Sequence, residues 1–451
     1  MDSEIFDKIK EIRNGDKYFI LTMGCQLNEN DSEKLAGMLE KMGYTKTDEL
    51  SEADVAIINT CCVRENAEEK VFGKLGEMKK IKEHKDLIIA IGGCMMQEET
   101  MRDKIKASYP FVDIVFGTHT LHKFPEDLYT VLQDRKKIQD ILDIDGEIHE
   151  GLPIKRNHSK QASVTIMYGC NNFCSFCIVP YVRGRERSRK PEDIINEIKD
   201  LAKDGYVEVT LLGQNVNSYH GRDDYGFAEL LKDIDKIEGI RRIRFISPHP
   251  KDFTDDVIEA IKNSKHICRL IHLPLQSGST RILKEMNRRY SKEQFLDLVV
   301  KMRREISNVS FSTDIIVGFP GETEEDFEET LDVVRQANFE QIYMFIYSRR
   351  TGTRADKMEN QVPEEIKHKR FDRLKALFEG QIPANNEKYV GTIQDVLVEG
   401  ISKNNPDIFT GRTESNKVVN FKGNKDQVGK ILKVKIIAEH TWYLEGEISS
   451  I

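Results

Sequence analysis

Cys170, Cys174 and Cys177 are the residues best suited by type and spacing to carry chemistry. They lie in the run Gly169-Cys-Asn-Asn-Phe-Cys-Ser-Phe-Cys, so that three residues and then two separate the thiols. One tight loop with this spacing presents three thiolates to a single cuboidal iron-sulfur cluster and leaves the fourth iron without a protein ligand. An open iron is a place where a substrate or a cofactor binds.

A structural zinc site is the competing interpretation of this loop. Such sites also use short cysteine spacings, but they need four nitrogen or sulfur ligands, and no further Cys or His lies nearby before His220. The loop follows a strand-like apolar stretch, Val164 to Met167, and a basic run and a helical pattern come after it. It therefore lies at the carboxyl end of a strand, where β/α barrels build their active sites, and this favours the cluster.

A second set of three cysteines, Cys25, Cys61 and Cys94, lies far apart in the sequence. Each comes just after a predicted strand, and such strand ends meet at the edge of an α/β sheet that binds ligands. We therefore predict a second cluster there, and we expect the glycines before Cys25, Cys94 and Cys170 to allow its close approach. Three unrelated buried thiols are the alternative. Cys62 is the neighbour of Cys61, which we favour as the ligand.

Residues 1–150 supply the elements that position this second set. Apolar runs alternate with runs of helical periodicity, which predicts βαβ units, a parallel sheet and helices on both of its faces, as in flavodoxin-like or Rossmann-like domains. The predicted strands are Tyr18 to Met23, Val55 to Asn59, Leu87 to Ile91 and Val112 to Phe116, and the predicted helices are Asn30 to Met42, Glu65 to His84 and Glu98 to Ala107.

Residues 151–383 contain a second βα series. Strands are predicted near Val164, Val207, Arg242, Arg269, Phe311 and Gln341, each but the last followed by a helix. Six units are too few to close an eight-stranded barrel, so we expect a partial (β/α)6 barrel with an open side that admits a large substrate. Helix starts are predicted at Pro191 and at Thr323, where Asp326 completes a variant capping box.

Residues 384–451 lose the helical pattern and predict a small all-β barrel of a kind that often binds oligonucleotides. Basic and acidic residues balance there. Trp442 and Tyr443 are either base-stacking residues or part of the barrel core. Cys268, beside an apolar strand in the preceding region, is interpreted as a core residue.

The bulk properties narrow the classes of protein. The chain has 451 residues, a formal net charge of -8 and eight cysteines. Its first residues do not form a secretion signal and no apolar run is long enough for a membrane span, so we expect a cytoplasmic protein without disulfides. The net charge argues against general attraction to nucleic acid, but local basic patches still allow RNA binding.

With the cysteines placed, the chain resembles the radical S-adenosylmethionine methylthiotransferases over nearly its whole length. The order of a methylthiotransferase domain, a radical SAM partial barrel and an RNA-binding TRAM domain is similar to theirs. The runs Gly24 to Glu33, Asn59 to Ala67 and Gly117 to His119 resemble the tRNA branch called MiaB. One departure is Cys62, at a position where that branch usually carries Ala or Ser.

The resemblance implies two 4Fe-4S clusters, S-adenosylmethionine as cofactor and a tRNA anticodon loop as substrate. The first cluster would bind and reductively cleave S-adenosylmethionine, and the second would hold an exchangeable sulfide that a further S-adenosylmethionine methylates. The radical would take hydrogen from C2 of N6-isopentenyladenosine, to which the methylsulfide joins. A flavodoxin-type or ferredoxin-type electron donor, a sulfur source, no membrane and a monomeric state are further expectations.

Other contacts are predicted at strand ends, where barrel enzymes bind cofactors. The candidates for S-adenosylmethionine are Gln214, Ser247, Gln276, Asp314 and Gly318, with a structural turn or cap as the alternative for each, and Phe176, which would pack on the adenine or shield the cluster. The candidates for RNA phosphates, against a plain solvated surface, are Arg183, Arg185, Arg187, Arg189, Lys190, Arg288, Arg289 and the helix around Lys367 to Arg373.

Two alternatives stay open at this point. Relatives with the same two-cluster layout methylthiolate threonylcarbamoyl-adenosine in tRNA or an aspartate of a ribosomal protein, whereas Gln26, Asn28 and the run Arg64 to Ala67 favour the isopentenyladenosine branch. The other alternative is a non-catalytic RNA protein in which both cysteine sets are structural. Closed metal sites would need a fourth protein ligand each, and the sequence offers none nearby.

Overall fold

A computed structural model describes residues 3–62, 66–142, 146–156, 160–402 and 405–449. The chain forms two compact units. The first comprises Met1–Asn157, Met167–Asn171 and Ile178–Arg189, and the second comprises His158–Ile166, Asn172–Cys177 and Lys190–Ile451. Val63, Arg64 and Glu65, in the middle of one of the family-like runs, lie outside the described residues.

The first unit is built on a six-stranded sheet in the order β2-β1-β3-β4-β5-β6, and every pairing is parallel. Its elements are α1 (Ser3–Arg13), β1 (Lys17–Thr22), α2 (Gln26–Lys41), β2 (Thr45–Lys46), β3 (Val55–Thr60), α3 (Asn66–Lys82), β4 (Ile88–Gly93), α4 (Glu99–Ser108), β5 (Ile114–Phe116), α5 (Phe124–Asp134) and β6 (Ile138–Asp140). The first five strands have the flavodoxin-like order.

Alternate residues of the central strands pack on opposite faces of this sheet. Val55 and Ile57 of β3 belong to one apolar cluster with α1, α2 and α5, whereas Ala56 and Ile58 belong to another with α3 and α4. Every residue of β3 and β4 is buried, as expected for parallel strands covered on both faces. The predicted parallel sheet with helices on both faces is confirmed.

The elements that follow in the chain are β7 (Gln161–Thr165), β8 (Met167–Tyr168), α6 (Val179–Val182), β9 (Arg187–Ser188), α7 (Pro191–Lys203), β10 (Glu208–Leu212), β11 (His220–Arg222), β12 (Tyr225–Gly226), α8 (Phe227–Ile234), β13 (Arg242–Phe245), α9 (Asp255–Asn263), β14 (Leu270–His272), α10 (Thr280–Glu285), α11 (Lys292–Glu305), β15 (Ser310–Val317), α12 (Glu324–Ala337), β16 (Gln341–Ile346) and α13 (Glu364–Glu387). Of these, β8, α6 and β9 lie in the first unit.

Six parallel strands of the second unit form the partial barrel. Their orders are β13-β10-β7 and β14-β15-β16, and a parallel bridge between Ile243 and Ile267 links the two sets. Over the described ranges, no pairing connects β7 to β16. The expectation that the last strand lacks a helix is wrong, because α13 follows β16 and buries Leu374, Phe378 and Ile382 at helical spacing.

The predicted small β-barrel is confirmed. Its strands are β17 (Ile393–Ser402), β18 (Asn405–Arg412), β19 (Val418–Lys422), β20 (Ile431–Glu439) and β21 (Leu444–Ile448), and they close in the order β17-β18-β19-β21-β20. Trp442 and Tyr443 are 67% and 36% exposed, so they are not part of the barrel core. The helix α13 continues to Glu387, past the domain boundary predicted after residue 383.

Three smaller predictions also have an outcome. The helix α7 begins at Pro191, and Thr323 forms the predicted capping box with Asp326 at the start of α12. Cys268 is buried, as expected for a core residue, and burial raises the pKa of its thiol to about 11. Within the described ranges, no helix is both long and apolar enough to cross a membrane.

Candidate active site

Three neighbouring strands of the first unit carry Cys25, Cys61 and Cys94 beyond their carboxyl ends. Cys25 lies between β1 and the start of α2, Cys61 directly follows β3, and Cys94 directly follows β4. The strand order reverses between β1 and β3, and open α/β sheets bind ligands at that point. The fold therefore places all three thiols at the ligand-binding edge of the sheet.

Asn28, which the sequence reasoning did not single out as a site residue, lies at the centre of these cysteines. Its Oδ1 accepts hydrogen bonds from the thiols of Cys25, at 3.6 Å, and of Cys94, at 3.9 Å. Its Nδ2 donates to the backbone oxygen of Thr60 at 2.6 Å, one residue before Cys61. Asn28 is completely buried. Through these hydrogen bonds its single amide connects the three strand ends.

The glycines before the cysteines make close protein contacts, and the expectation that they also allow the close approach of a cluster stays a prediction. A Cβ on Gly24 would lie 2.6 Å from Cys61 Cβ and 2.9 Å from its Sγ. A Cβ on Gly93 would lie 2.4 Å from the Thr60 oxygen, and one on Gly169 would lie 2.0 Å from the Arg185 oxygen. All three glycines have positive φ, which other residues rarely adopt.

Arg183 was predicted to contact phosphate, but its side chain is buried in the first unit beside Cys94. Its Nε lies 3.2 Å from Cys94 Sγ, and its Nη2 donates to Asn28 Oδ1 at 3.0 Å and to Asp31 Oδ2 at 2.8 Å. Burial opposes the charge on Arg183, but Cys94 and Asp31 outweigh it and hold the arginine pKa above its ordinary value. Burial raises the pKa of the Cys94 thiol, and Arg183 opposes that shift.

The other predicted phosphate ligands fall into two groups. Arg189 is buried and paired with Glu150, and Arg187 is half-buried and donates to the backbone oxygen of Arg183 at 3.1 Å. The guanidinium of Arg288 is buried as well, so burial argues against phosphate contact by Arg183, Arg189 and Arg288. The exposed candidates are Arg185, Lys190 and Arg289. In the helix around Lys367 to Arg373, Lys369 and Arg373 are exposed, whereas Lys367 and Arg370 are buried.

Cys170 lies in a hairpin of the first unit. The strands β8 and β9 pair antiparallel, with Met167 opposite Ser188 and Tyr168 opposite Arg187. The backbone N–H of Cys170 donates to the oxygen of Gly184 at 3.1 Å, directly after Arg183. The sequence that carries Cys170 is thus bonded to the sequence that carries Arg183.

Cys174 and Cys177 belong to the second unit, where the end of α10 holds their loop. The N–H of Cys177 donates to the Cys174 oxygen at 2.9 Å, and Asn287 Nδ2 donates to the oxygens of Asn172 and Phe173, both at 3.0 Å. Arg288 Nη1 donates to Cys174 Sγ at 3.4 Å. The loop is therefore fixed by side chains that the cysteine spacing alone does not indicate.

The donor types of the two cysteine sets suit iron-sulfur clusters. Across the described residues, no three His, Cys, Asp or Glu side chains converge in the way that would hold one ion. A zinc ion needs four ligands around one point, whereas a cuboidal cluster takes each thiolate at a different iron, so its ligands stand apart. Each set offers three thiols and an arginine hydrogen-bonded to one of them.

Two predicted cofactor ligands of the second unit carry buried acceptors that have no hydrogen-bond partner among the described residues. These are the Oε1 atoms of Gln214, beyond β10, and Gln276, beyond β14. Gln276 has a φ of 70° and Ser247, beyond β13, has a φ of 57°, conformations that cost energy in residues with a side chain. Buried unpaired acceptors at strand ends fit a ligand that brings its own hydrogen-bond donors.

The remaining candidates have other contacts. Asp314 Oδ2 lies 3.4 Å from His272 Nε2. Gly318 donates its N–H to Glu322 at 2.8 Å, and a Cβ there would meet Lys367, so its glycine has a structural explanation. Phe176 packs against an apolar cluster of the second unit.

An exposed aromatic face on β16 was missed by the sequence reasoning. Tyr343 and Phe345 are 42% and 47% exposed and stand on one face of the strand, beside Asp314 and Ile316 of β15 in register. Ile342, on the opposite face, is buried. Only the alternation of β16, interpreted with its strand neighbours, would have indicated this face.

Three family models match successive parts of the chain. The radical SAM superfamily model matches residues 164–334, the TRAM domain model matches residues 387–449, and the model of an uncharacterised protein family, UPF0004, matches residues 17–117. Among solved structures, the radical SAM methyltransferase TsrM from Kitasatospora setae, with cobalamin and a [4Fe-4S] cluster bound, has a TM-score of 0.56. It is 13% identical, over 76% of this chain and 77% of that chain, which supports the fold alone.

Curated relatives are much more similar. A tRNA-2-methylthio-N(6)-dimethylallyladenosine synthase of Clostridium botulinum is 55% identical over 451 residues, covering 99% of both chains. One of Acetivibrio thermocellus is 53% identical over 445 residues, covering 97% of this chain and 92% of the relative. The chain belongs to the family of the tRNA-2-methylthio-N(6)-dimethylallyladenosine synthases, which are radical SAM methylthiotransferases.

Proposed function

We infer that this chain is a radical SAM enzyme that methylthiolates C2 of N6-isopentenyladenosine beside the anticodon of tRNA. The observation that carries this conclusion is the pair of three-cysteine sets, each with a buried arginine donating to one sulfur, Arg183 to Cys94 and Arg288 to Cys174. They occur in a chain that is 55% identical over its length to such a synthase.

The cysteines divide the work of holding the cofactors. Cys170, Cys174 and Cys177 would hold the cluster that binds S-adenosylmethionine, and Cys25, Cys61 and Cys94 would hold the cluster that carries the sulfur. When bound, the two 4Fe-4S clusters and S-adenosylmethionine supply the electron, the radical, the sulfur and the methyl group, none of which side chains can provide. The protein contributes position, charge and the exclusion of water.

Gln214 and Gln276 are proposed to orient S-adenosylmethionine. Their buried Oε1 atoms lack a hydrogen-bond partner in the part of the chain that the structure describes, so they are free to accept hydrogen bonds from amino or hydroxyl groups of a ligand. They follow β10 and β14, at the barrel edge where cofactor ligands are usually placed, and Ser247 and Asp314 lie at or near the same edge. The free energy of ligand binding would also offset the conformational energy of the positive φ at Ser247 and Gln276.

The aromatic face of β16 is proposed to receive the modified base. Tyr343 and Phe345 offer flat, apolar surface that suits both an adenine ring and an isopentenyl tail. RNA-binding proteins often read a splayed base by stacking it on aromatic side chains. An open barrel admits such a base, and the exposed apolar rings become buried when it enters.

The rest of the anticodon stem-loop is proposed to contact the small barrel and exposed cations. Trp442 is 67% exposed, and Tyr443 stacks on His440 with ring centroids 4.4 Å apart, which provides aromatic surface for unpaired bases. Arg185, Lys190 and Arg289 are exposed cations suited to phosphates. A flavodoxin-type or ferredoxin-type electron donor, a sulfur source, a cytoplasmic location and a monomeric state complete the proposal.

The division of labour follows the predicted boundaries. Residues 1–150 would form the sulfur-carrying domain, residues 151–383 the radical-generating barrel and residues 384–451 the RNA-binding TRAM domain. The corresponding family models match residues 17–117, 164–334 and 387–449.

A substrate comparison tests the proposed function. The anaerobically reconstituted chain, with S-adenosylmethionine, sulfide and a reductant, would be given tRNA bearing isopentenyladenosine, tRNA bearing threonylcarbamoyl-adenosine, or a ribosomal protein with a target aspartate. We expect a methylthio product on the first substrate alone. A product on either of the others, with none on the first, would overturn the substrate assignment while leaving the radical chemistry in place.

A further inference from the structure

Arg183 occupies an unusual position for a residue in a basic run. It lies on the segment Ile178–Arg189, which belongs to the first unit, and its side chain is only 5% exposed. The exposed residues Arg185 and Lys190, in contrast, present the charge that a basic run normally offers to solvent. One cation of this basic run, Arg183, therefore points into the protein, although the sequence pattern is that of a surface patch.

Two side chains of α2 fix the guanidinium of Arg183. Asp31 accepts from Nη2 at 2.8 Å and Asn28 accepts from Nη2 at 3.0 Å. With Nη2 held in this way, the planar guanidinium directs its Nε–H at Cys94 Sγ, 3.2 Å away. The contact with the sulfur is thus set by Asp31 and Asn28 and not by chance packing.

The buried pair of Arg183 and Asp31 contributes little to stability if its role is purely structural. Burying both charges costs several kcal/mol of hydration, which their attraction barely offsets, and apolar residues of similar volume often serve stability as well. Asp31 is 10% exposed on its side chain, so solvent does little to reduce that cost. A functional role therefore explains the buried pair better than a contribution to stability does.

We propose that Arg183 is a positioning residue that sets the reduction potential of the cluster held by Cys25, Cys61 and Cys94 through its hydrogen bond to the Cys94 sulfur. This inference rests on the proposed function, because it presupposes a cluster on those cysteines. Hydrogen bonds to the ligating sulfurs and nearby net charge are among the main determinants of cluster potentials. A positive donor stabilises the reduced, more negative cluster and raises the potential.

Asp31 gives the proposal a second, opposite prediction. Its carboxylate partly cancels the charge of Arg183, so its neutralisation leaves the guanidinium uncompensated beside Cys94. Arg183→Gln removes the cation and should lower the potential, whereas Asp31→Asn should raise it. A residue that only fills space would not produce shifts of opposite sign.

The experiment isolates this cluster in the full-length chain. Cys170, Cys174 and Cys177 are changed to Ala, so that only the second set retains its thiols, and the protein is reconstituted anaerobically with iron and sulfide. The midpoint potential for one-electron reduction by dithionite is followed by electron paramagnetic resonance. Arg183→Gln, Arg183→Lys and Asp31→Asn are made in this background, and Arg185→Gln, two residues away and exposed, is the matched control.

The expected result has three parts. In Arg183→Gln the ratio of reduced to oxidised cluster at a fixed potential falls about tenfold, which is about 59 mV for a one-electron couple. Arg183→Lys restores part of the shift, because it keeps the charge without the planar fork. Asp31→Asn shifts the potential upwards and Arg185→Gln leaves it unchanged.

Each other outcome has a defined meaning. Potentials unchanged in both Arg183→Gln and Asp31→Asn, with about four irons bound per chain, would overturn the inference and leave the proposed function intact. If Arg183→Gln does not retain iron, the inference is judged on Asp31→Asn, in which the arginine remains. An upward shift of its potential supports the inference, and an unchanged potential overturns it. If the background without further changes binds no iron, the second cluster itself and with it the proposed function fail.

Discussion

Arg288 donates a hydrogen bond from Nη1 to the sulfur of Cys174 at 3.4 Å. Its Nη2 donates to the backbone oxygen of Pro274 at 3.0 Å, its Nε lies 3.0 Å from the Tyr290 hydroxyl, and the residue is buried. Arg183 has the same relationship to Cys94. Both three-cysteine sets therefore have a buried cation hydrogen-bonded to one sulfur, which would supply positive charge beside an anionic cluster.

Arg288→Met tests this relationship at the first set. The substitution keeps an unbranched apolar stem, although a shorter one, and removes the donor to Cys174. Loss of a side chain that supports a metal ligand typically costs 10 to 100 times in affinity or activity. We expect cleavage of S-adenosylmethionine to 5′-deoxyadenosine, measured by chromatography, to fall about tenfold or more. Arg289→Met, at the exposed neighbour, is the control. Equal rates in the two variants would contradict this role.

Cys61 and Cys62 are adjacent but lie in different surroundings. Cys61 is 1% exposed and adjoins Gly24, next to Cys25, whereas Cys62 is half-buried and packs with Cys94 in a small apolar cluster. Burial raises the pKa of the Cys62 thiol, which opposes thiolate formation. The contacts of Cys61 with the Cys25 strand end favour it as the ligand.

The two single variants separate these cysteines. After anaerobic reconstitution we expect about eight irons per chain in Cys62→Ala and about four in Cys61→Ala, measured by iron analysis on the folded protein. The reverse pattern would make Cys62 the ligand. Iron counts near eight in both would mean that either cysteine is sufficient.

Phe345→Ala tests the aromatic face of β16. Its ring is 47% exposed, so its removal disturbs little packing, but contact with an isopentenyl tail would be lost. Burial of such apolar surface is worth about 1 to 2 kcal/mol, so we expect the KM for isopentenyladenosine tRNA to rise about 5 to 30 times. Val300→Ala, at a 64% exposed residue of α11, should not change the KM. An unchanged KM in Phe345→Ala would place the base elsewhere.

Asp127, in the first turn of α5, gives a stability prediction that is independent of the cofactors. It is 9% exposed, its Oδ2 has no hydrogen-bond partner among the described residues, and burial raises the pKa of its carboxyl to about 7. A raised folded-state pKa stabilises the folded chain below the ordinary value near 3.8, and this contribution is lost as the pH rises through about 7. The folded chain should therefore weaken as the pH rises from 3.8 to about 7, and it should be less stable at about pH 8 than at about pH 5.5.

Asp127→Asn removes the charge and should protect against that loss. We expect a gain of about 1 to 2 kcal/mol in unfolding free energy at pH 8 and less at pH 5.5. The whole shift of the Asp127 pKa would correspond to a larger gain in unfolding free energy. The expected gain is smaller because partial exposure and the helix N-terminus favour the charged form of the carboxyl. Melting curves at the two pH values check this, with Asp134→Asn, at the exposed end of the same helix, as the control. A gain that does not depend on pH would exclude the titration of Asp127.

The sequence was sufficient to predict those parts of the fold and of the site that depend on apolar runs and on residue spacing. The strands β1, β3, β4 and β5 contain apolar runs, so their parallel arrangement and the positions of Cys25, Cys61 and Cys94 beyond them could be predicted. The edge strands β2 and β6 have two and three residues and no apolar run, and they could not.

The polar part of the site was beyond sequence reasoning for a physical reason. Asn28 and Asp31 are polar residues in a helix that is buried on several sides from Leu27 to Leu39, so no amphipathic pattern marks them as inward-facing. Arg183 is one of several similar charges in its run, and only tertiary contact with Cys94 distinguishes it from Arg185. Composition gives the charge of such a run but not the direction of each side chain.

The most direct test of the two-cluster account is mass spectrometry of nucleosides from tRNA carrying N6-isopentenyladenosine. The tRNA is incubated anaerobically with the reconstituted chain, S-adenosylmethionine, sulfide and a reductant, in parallel with Cys174→Ala and Cys61→Ala. We predict the 2-methylthio nucleoside with the unchanged chain and its absence with both variants, with 5′-deoxyadenosine lost in Cys174→Ala only. Formation of the methylthio nucleoside by either variant, or its absence with an unchanged chain that holds about eight irons, would contradict the account.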